Sequence, residues 1–278
     1  MMDIAAQQLR ATSFREMHRG AKALLLPNVW DVASARVIEA AGFPALATTS
    51  AGIAFALGYR DGQRISRDEM LERVGRVVRA VTVPVTADVE AGYGSRPEDA
   101  ARTAAGIIEV GAVGMNLEDG TLDPARPLVD PALEVEKIRA VRETARRAGV
   151  ELVLNARTDV YWAEIGPPEL RYGEALRRMR AYRDAGADCV FVPGLRDRET
   201  ISRLVREVEC PVNILAGPGS PPVPELEKLG VARVSLGSGP MRATLGVLRR
   251  VAEELKHSGT YHALESAPSY AQVNQLFE

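Results

Sequence analysis

The stretch VGMNLEDGTLDPARPLVDPALEVEKIRAVRETARRAGVELVLNARTD (113–159) reads as strand, helix, strand, and its reading decides the fold. VGMNLED (113–119) and ELVLNARTD (151–159) are short, mostly apolar runs of the kind expected for strands buried on both faces. Between them, Leu133, Val135, Ile138, Val141 and Ala145 recur two to four residues apart and make one apolar stripe, with Arg and Glu elsewhere. Asp130 stands where an N-cap belongs, and Gly149 closes the helix before the next strand.

The same unit repeats along the chain. Strand candidates lie at 23–28, 45–50, 83–90, 189–194, 211–217 and 233–238 as well. Helical runs separate them at 31–42, 66–81, 96–111, 170–186, 197–209, 222–230 (short) and 240–259. Ser66 and Asp197 read as further N-caps, and Gly42, Gly111, Gly186 and Gly230 as further helix-closing glycines. Eight strand–helix units without a composition break predict an α/β fold of the (β/α)8 TIM-barrel type, one domain over 1–278. An open doubly wound sheet would carry a Gly-x-Gly-x-x-Gly turn after its first strand, and the turn here reads PNVWDV (27–32). Residues 1–20 read as an extra N-terminal helix, with no apolar core that would make them a secretory signal. Residues 240–278 read as a C-terminal helix and tail, the tail either packing on a partner subunit or fraying.

Of the 278 residues 46% are hydrophobic, so a substantial core is available without disulfides. The 35 basic and 37 acidic side chains nearly cancel, leaving no footprint for nucleic acid or an anionic membrane. No apolar run approaches the ~20 residues that span a bilayer. Two cysteines, Cys189 and Cys210, fall at strand beginnings and read as buried small hydrophobes in a reducing, cytoplasmic setting.

In a barrel of this type the chemistry sits at the C-terminal ends of the strands. Those ends carry Asn28, Trp30 and Asp31; Thr48, Thr49 and Ser50; Asp88 and Glu90; Asn116, Glu118 and Asp119; Asn155, Arg157 and Asp159; Asn213; Ser235 and Ser238. Asp88 and Glu90 are two apart, so a regular strand would point both the same way. Three carboxylates in one apolar mouth repel unless a cation or protons intervene. Hard oxygen donors that leave room for water and substrate fit Mg²⁺, with Mn²⁺ as a substitute. Arg157 offers a fork of donors for a carboxylate or a developing oxyanion. The competing reading is a barrel-stabilising salt bridge between Arg157 and Glu118. No histidine competes for the site: His18, His257 and His262 lie in the terminal regions and read as surface positions. The glycine turns AGPGSPP (216–222) and LGSGP (236–240) are either a phosphate cradle or plain turns, the prolines removing donors.

These residues together resemble the isocitrate lyase / phosphoenolpyruvate mutase superfamily, over roughly 20–240. The resemblance is carried by PNVWDVASARVIEAAGF (27–43), TTSAGIAFALGYRDG (48–62), TADVEAGYG (86–94), NLEDG (116–120) and NARTD (155–159). It implies Mg²⁺ held by Asp88, Glu90 and Glu118, partly through water. It implies a substrate carboxylate at Thr49, Ser50 and Ala51, further substrate contacts from Trp30 and Asn213, and catalytic roles for Asp61, Glu118 and Arg157. Substrates would be small α-oxo or 2-hydroxy acids, with C–C or P–C bonds made or broken next to an enolate. A homodimer or homotetramer with an exchanged C-terminal helix, here 240–257, is also implied. The chain departs from the pattern in having Glu90 where the family motif has Asp. The loop GTLDPARPLVDP (120–131) lacks the cysteine of the lyases, so the resemblance is to the phosphonomutase-like branch, from which the loop departs in lacking the mutase's Lys-Thr-Asn-Ser as well. Arg126 is that loop's one cation. Two further readings remain beside it: an aldolase-like barrel that recognises phosphate, for which no lysine stands at a strand end, and a non-catalytic α-oxo-acid-binding barrel.

Overall fold

The computed structural model describes residues 3–121 and 123–278. Leu122, in the loop after the fourth predicted strand, and Met1 and Met2, in the predicted N-terminal helix, lie outside the described residues. Among the described residues nine strands form one all-parallel sheet: β1 (Leu24–Leu26), β2 (Asn28–Val29), β3 (Leu46–Thr48), β4 (Val85–Asp88), β5 (Gly114–Glu118), β6 (Val153–Arg157), β7 (Cys189–Phe191), β8 (Val212–Leu215) and β9 (Arg233–Ser235). The order β1-β9-β8-β7-β6-β5-β4-β3-β2 wraps the sheet into a barrel.

Closure happens at Pro27. The run read as one strand over 23–28 is two, because proline has no N–H to give a ladder. Leu24–Leu26 pairs with β9 and Asn28–Val29 pairs with β3. The Pro27 carbonyl still accepts from the Ala47 N–H at 3.3 Å, so the two halves occupy one of eight staves.

The predicted helices form between the strands. Ser66, Asp130 and Asp197 cap Arg67–Ala80, Pro131–Ala148 and Arg198–Val208 through their side chains. Gly149 takes φ 70°, a left-handed conformation that ends its helix without a Cβ penalty. One helix, Ser50–Ala56, was not legible as such: it follows β3 directly, with Thr49 as its cap.

The N-terminal helix Ile4–Met17 closes the end of the barrel opposite the strand C-termini. Its Phe14 is fully buried, and a Cβ added at Gly114 would lie 3.0 Å from the Phe14 ring and 2.9 Å from the Val153 carbonyl oxygen. Only glycine admits that approach. His18, read as a surface residue, is in fact buried: its Nδ1 lies 2.9 Å from the Phe14 carbonyl oxygen and its ring packs edge-on to Phe14.

The stripe on Pro131–Ala148 also differs from its reading. Ile138, Val141 and Ala145 are buried as expected, but Glu134 and Lys137 are buried with them, paired at 3.1 Å, while Leu133 and Val135 are only half-buried.

The C-terminal helix Gly239–His257 buries Met241 alone and leaves Leu245, Val247, Leu248 and Leu255 exposed. The tail then forms a short helix, Tyr270–Gln275, and Phe277 lines a groove beside Trp30 and Ile53.

Candidate active site

At the C-terminal end of the barrel a cavity of about 90 Å³ is lined by Asn28, Thr49, Ser50, Ala51, Asp61, Asp88, Asn116, Arg157, Trp162, Phe191, Pro193, Leu215, Ser235, Gly237 and Ser238. It is one of several surface recesses, and a larger one lies near Arg15 and Arg142 at the opposite end. The strand-end cavity is the chemical candidate because ionisable groups converge there and in barrels of this kind the strand C-termini carry the site.

Asp88 ends β4 and faces this cavity. Its Oδ2 accepts both the Ser50 N–H (3.0 Å) and the Ser50 hydroxyl (2.8 Å). Its Oδ1 has only a long 3.5 Å contact from the Asn116 amide. The Asn116 amide is itself oriented from below, its Oδ1 accepting from Asn155 at 2.8 Å and from the buried Arg233 at 3.4 Å.

Glu90 departs from its expected place. The strand stops at Asp88, and Glu90 takes φ 52°, so the two side chains do not share a strand face. Its carboxylate accepts from the Gln63 N–H at 2.5 Å and the Tyr93 hydroxyl at 3.4 Å. Tyr93 N–H in turn donates to Gln63 Oε1 at 2.8 Å. Gln63, Glu90 and Tyr93 all have left-handed backbones, at φ 49°, 52° and 58°, and together stitch the loop that carries Asp61 to the loop after β4. Strained non-glycine residues gathered in this way are typical of functional sites.

Arg157 is committed on three sides. Its Nη1 lies 2.7 Å from Glu118 Oε2, and its Nε and Nη2 bind Asp159 at 2.6 and 3.0 Å. The guanidinium also stands 5.8 Å from the Phe191 ring centre. The anticipated Arg157–Glu118 salt bridge therefore exists, inside the site. Despite burial, Glu118 and Asp159 hold Arg157 firmly protonated. Burial raises the Glu118 carboxyl well above its ordinary value, with Arg157 opposing. Burial and the neighbouring Asp88 and Asp61 push Glu90 up to about 7. Burial and Asp88 likewise raise Asp61, at the cavity rim. Four of these five carboxylates, Asp61, Asp88, Glu118 and Asp159, thus feel the Arg157 guanidinium, and Asp88 feels the buried Arg233 as well.

The three expected metal ligands do not converge as a preformed set. Among the described residues no three His, Cys, Asp or Glu side chains are placed to bind one ion. Asp88 alone of the three lines the cavity. The donor chemistry still suits a hard divalent cation: Asp88 Oδ1 is nearly free, and the surrounding negative charge is under-compensated.

Other expected site residues lie elsewhere. Trp30 lines the outer groove with Phe277 instead. Asn213 is fully buried below the cavity, accepting from the Ser235 hydroxyl at 3.2 Å. Asp119 is a structural hub, accepting from Thr158, Tyr182, Arg178 and the Asp159 N–H at 2.7–3.0 Å. Of the donors at 49–51, Thr49 N–H goes to the Val29 carbonyl and Ser50 N–H to Asp88, which leaves Ala51 N–H for a ligand. In the glycine turns Leu236 and Gly237 N–H both donate to Asn28 Oδ1 at 2.8 Å, Gly217 N–H to Ser220 and Gly239 N–H to the Leu236 carbonyl, so these four donors are engaged within the fold. The apolar wall of Trp162, Phe191, Pro193 and Leu215 escaped a reading restricted to polar strand ends. Its signal was the run FVPG (191–194) at the end of a predicted strand.

The model of the phosphoenolpyruvate phosphomutase family matches residues 14–256. This chain belongs to the phosphoenolpyruvate phosphomutase family. A Burkholderia cenocepacia J2315 protein described as a candidate lyase/mutase superposes with a TM-score of 0.92 at 38% identity, covering 98% of this chain and 96% of that one. The phosphoenolpyruvate phosphomutase of Streptomyces hygroscopicus is 31% identical over 265 residues, 91% of this chain and 81% of the relative. The 2,3-dimethylmalate lyase of Eubacterium barkeri is 30% identical over 231 residues, 79% and 77% of the two chains. The phosphoenolpyruvate phosphomutase family and its relatives are lyases and mutases of small oxo acids.

Proposed function

We propose that this chain is a divalent-metal-dependent lyase that cleaves or forms a C–C or P–C bond in a small α-oxo or 2-hydroxy acid through an enolate. The observation that carries the reading is the gathering of Asp61, Asp88, Glu90, Glu118 and Asp159 at the strand ends, with Arg157 ion-paired to Glu118 and Asp159 among them. Mg²⁺, or Mn²⁺ in its place, would be held at Asp88, with Glu90 and Glu118 behind it adding negative field. Bound there, the ion would supply Lewis-acid polarisation of the substrate's oxygens.

The chain's own groups do the rest. Ala51 N–H, at the start of the short helix, receives the substrate carboxylate. Arg157, locked by Glu118 and Asp159, presents a fixed positive charge to the enolate oxygen and needs no reorganisation as charge develops. Asp61, raised by its surroundings, is the carboxyl best placed at the rim to take a hydroxyl proton as the bond to the neighbouring carbon breaks. The closed loop of Gln63, Glu90 and Tyr93 keeps Asp61 in register with Asp88.

The exposed apolar residues of Gly239–His257 support a homodimer or homotetramer built on that helix. The two free cysteines support a reducing compartment, the cytoplasm.

Calorimetric titration with Mg²⁺ in the presence of oxalate tests the metal. Binding that Asp88→Asn abolishes supports the reading; a protein that takes up no divalent ion, or one whose uptake ignores Asp88, sinks it.

A further inference from the structure

Beneath the cavity the barrel interior is polar where such barrels are ordinarily filled by branched apolar side chains. Asp88, Asn116 and Asn155 are Cα partners on the adjacent strands β4, β5 and β6, so their side chains share one face of the sheet. Asp88 and Asn116 line the cavity; Asn155 and Arg233 lie below it, 0% and 1% exposed. Among the described residues the Arg233 guanidinium has no carboxylate partner, and its Nε and Nη1 have no hydrogen-bond partner. A buried, unpaired cation is costly to the fold, and packing alone does not account for it. Its one hydrogen bond goes to Asn116 Oδ1 at 3.4 Å, where Asn155 Nδ2 also donates at 2.8 Å. The reversed amide would turn N–H groups toward those two donors and an oxygen toward Asp88, so the orientation is fixed. Asn116 Nδ2 therefore faces the cavity, and among the described residues its one hydrogen-bond contact is the 3.5 Å approach to Asp88 Oδ1.

We propose that Asn116 is a substrate-binding residue, donating an Nδ2–H to an oxygen of the acid, and that Arg233 is the positioning residue that holds it from below. The inference rests on the lyase reading above and adds two residues to its site. An amide nitrogen carries two donors, and a single long contact leaves one for a ligand oxygen. Donation from Arg233 and Asn155 into Oδ1 polarises the amide and strengthens donation from Nδ2. The charge that keeps the donor pointed stays below the cavity, away from carboxylates, whereas Arg157 is ion-paired to Glu118 and Asp159. The arrangement lowers stability, since an apolar side chain of similar volume at position 233 would need no counter-charge.

Calorimetric binding of oxalate in saturating Mg²⁺, with thermal melts on the same preparations, tests the proposal on Arg233→Met, Asn116→Leu and the double variant. Arg233→Met should melt at or above wild type and bind oxalate roughly fivefold more weakly, a split that a purely structural role would not produce. Asn116→Leu should bind oxalate about thirtyfold more weakly, and should melt lower because Asn155 and Arg233 then face an apolar side chain. The double variant removes the buried charge and should regain stability. Its oxalate Kd should match that of Asn116→Leu, because Arg233 acts through Asn116. A wild-type Kd in either single variant overturns the proposal, and losses that multiply in the double variant overturn the coupling of Arg233 to Asn116. Wild-type protein that binds oxalate with Mg²⁺ keeps the lyase reading in place through either failure; wild-type protein that binds neither overturns both. Should Asn116→Leu not fold, the double variant is compared with Arg233→Met, and equal Kd values overturn the donor.

Discussion

Arg157 and Glu118, side by side at the ends of β6 and β5, are in register as Cα partners and joined at 2.7 Å. The pair is held inside the candidate site, so the guanidinium proposed to act in catalysis and a structural salt bridge are the same object. A free arginine at this point would choose among several acceptors. Pinned by Glu118 and by both oxygens of Asp159, it has one orientation.

The pinning makes the position intolerant of lysine. An ammonium carries the charge but cannot span Glu118 and Asp159 together. Arg157→Lys should fold and still lose about 10²–10³ in kcat, close to the loss for Arg157→Ala, because the lost element is a fixed donor geometry. Steady-state turnover on a 2-oxo or 2-hydroxy acid with Mg²⁺ is the measurement. A lysine variant within a few-fold of wild type would show that charge alone suffices.

Gln63 separates strain from bonding. At φ 49° it sits where glycine is more comfortable, and its Oε1 accepts the Tyr93 N–H at 2.8 Å. Gln63→Ala keeps the strained backbone and loses the acceptor; Gln63→Gly loses the acceptor and relieves the strain. The alanine variant should therefore melt lower than the glycine variant, by the equivalent of about 0.5–1 kcal/mol. Both should lose kcat, since both unfasten the loop that bears Asp61. Thermal melts and kcat measured on the same preparations separate the two effects.

The barrel was legible in the sequence because buried parallel strands and amphipathic helices carry opposite periodicities, as in 113–159. The glycine at 149 and the caps at Ser66, Asp130 and Asp197 set boundaries that the structure keeps. Asp88, Ser50, Asn116 and Arg157 were legible as strand-end residues for the same reason, and the structure brings them to one cavity. What the sequence hid was conformation past the strand ends. Period-two logic fails once Glu90 turns to φ 52°, and it fails to foresee Asn213 stopping short of the cavity. The split at Pro27 depends on barrel closure, a property of the whole ring.

Glu134 and Lys137 violate the binary pattern of their helix, and the violation has a measurable cost. They are 0% and 1% exposed and paired at 3.1 Å. Burial outweighs Lys137 and pushes the Glu134 carboxyl up to about 7. Lys137→Met strands a buried carboxyl and should cost about 3–5 kcal/mol. Replacing both, as Glu134→Leu with Lys137→Met, should restore most of that, since the pair's desolvation disappears with it. Denaturant unfolding of Lys137→Met, Glu134→Leu and the double variant beside wild type closes the cycle. A double variant no more stable than Lys137→Met would mean that the pair does more than offset its own burial.

His18 makes acid stability depend on the barrel floor. Burial, reinforced by the Arg233 guanidinium, lowers its pKa from 6.5 to about 4. Its Nδ1–H donates to the Phe14 carbonyl, and Nε2 has no hydrogen-bond partner among the described residues. The folded state therefore resists a proton that the unfolded chain accepts. Stability from this group is complete above the unfolded value of 6.5 and is lost as pH falls toward 4. At about 1.4 kcal/mol per pH unit, that window corresponds to a loss on the order of 3 kcal/mol. His18→Asn keeps a donor for Phe14 and cannot titrate. Its unfolding free energy should fall less steeply than wild type between pH 6.5 and 4, and the two curves should run parallel above pH 7. Identical slopes across the acid window would place His18 in water and free the barrel floor from this role.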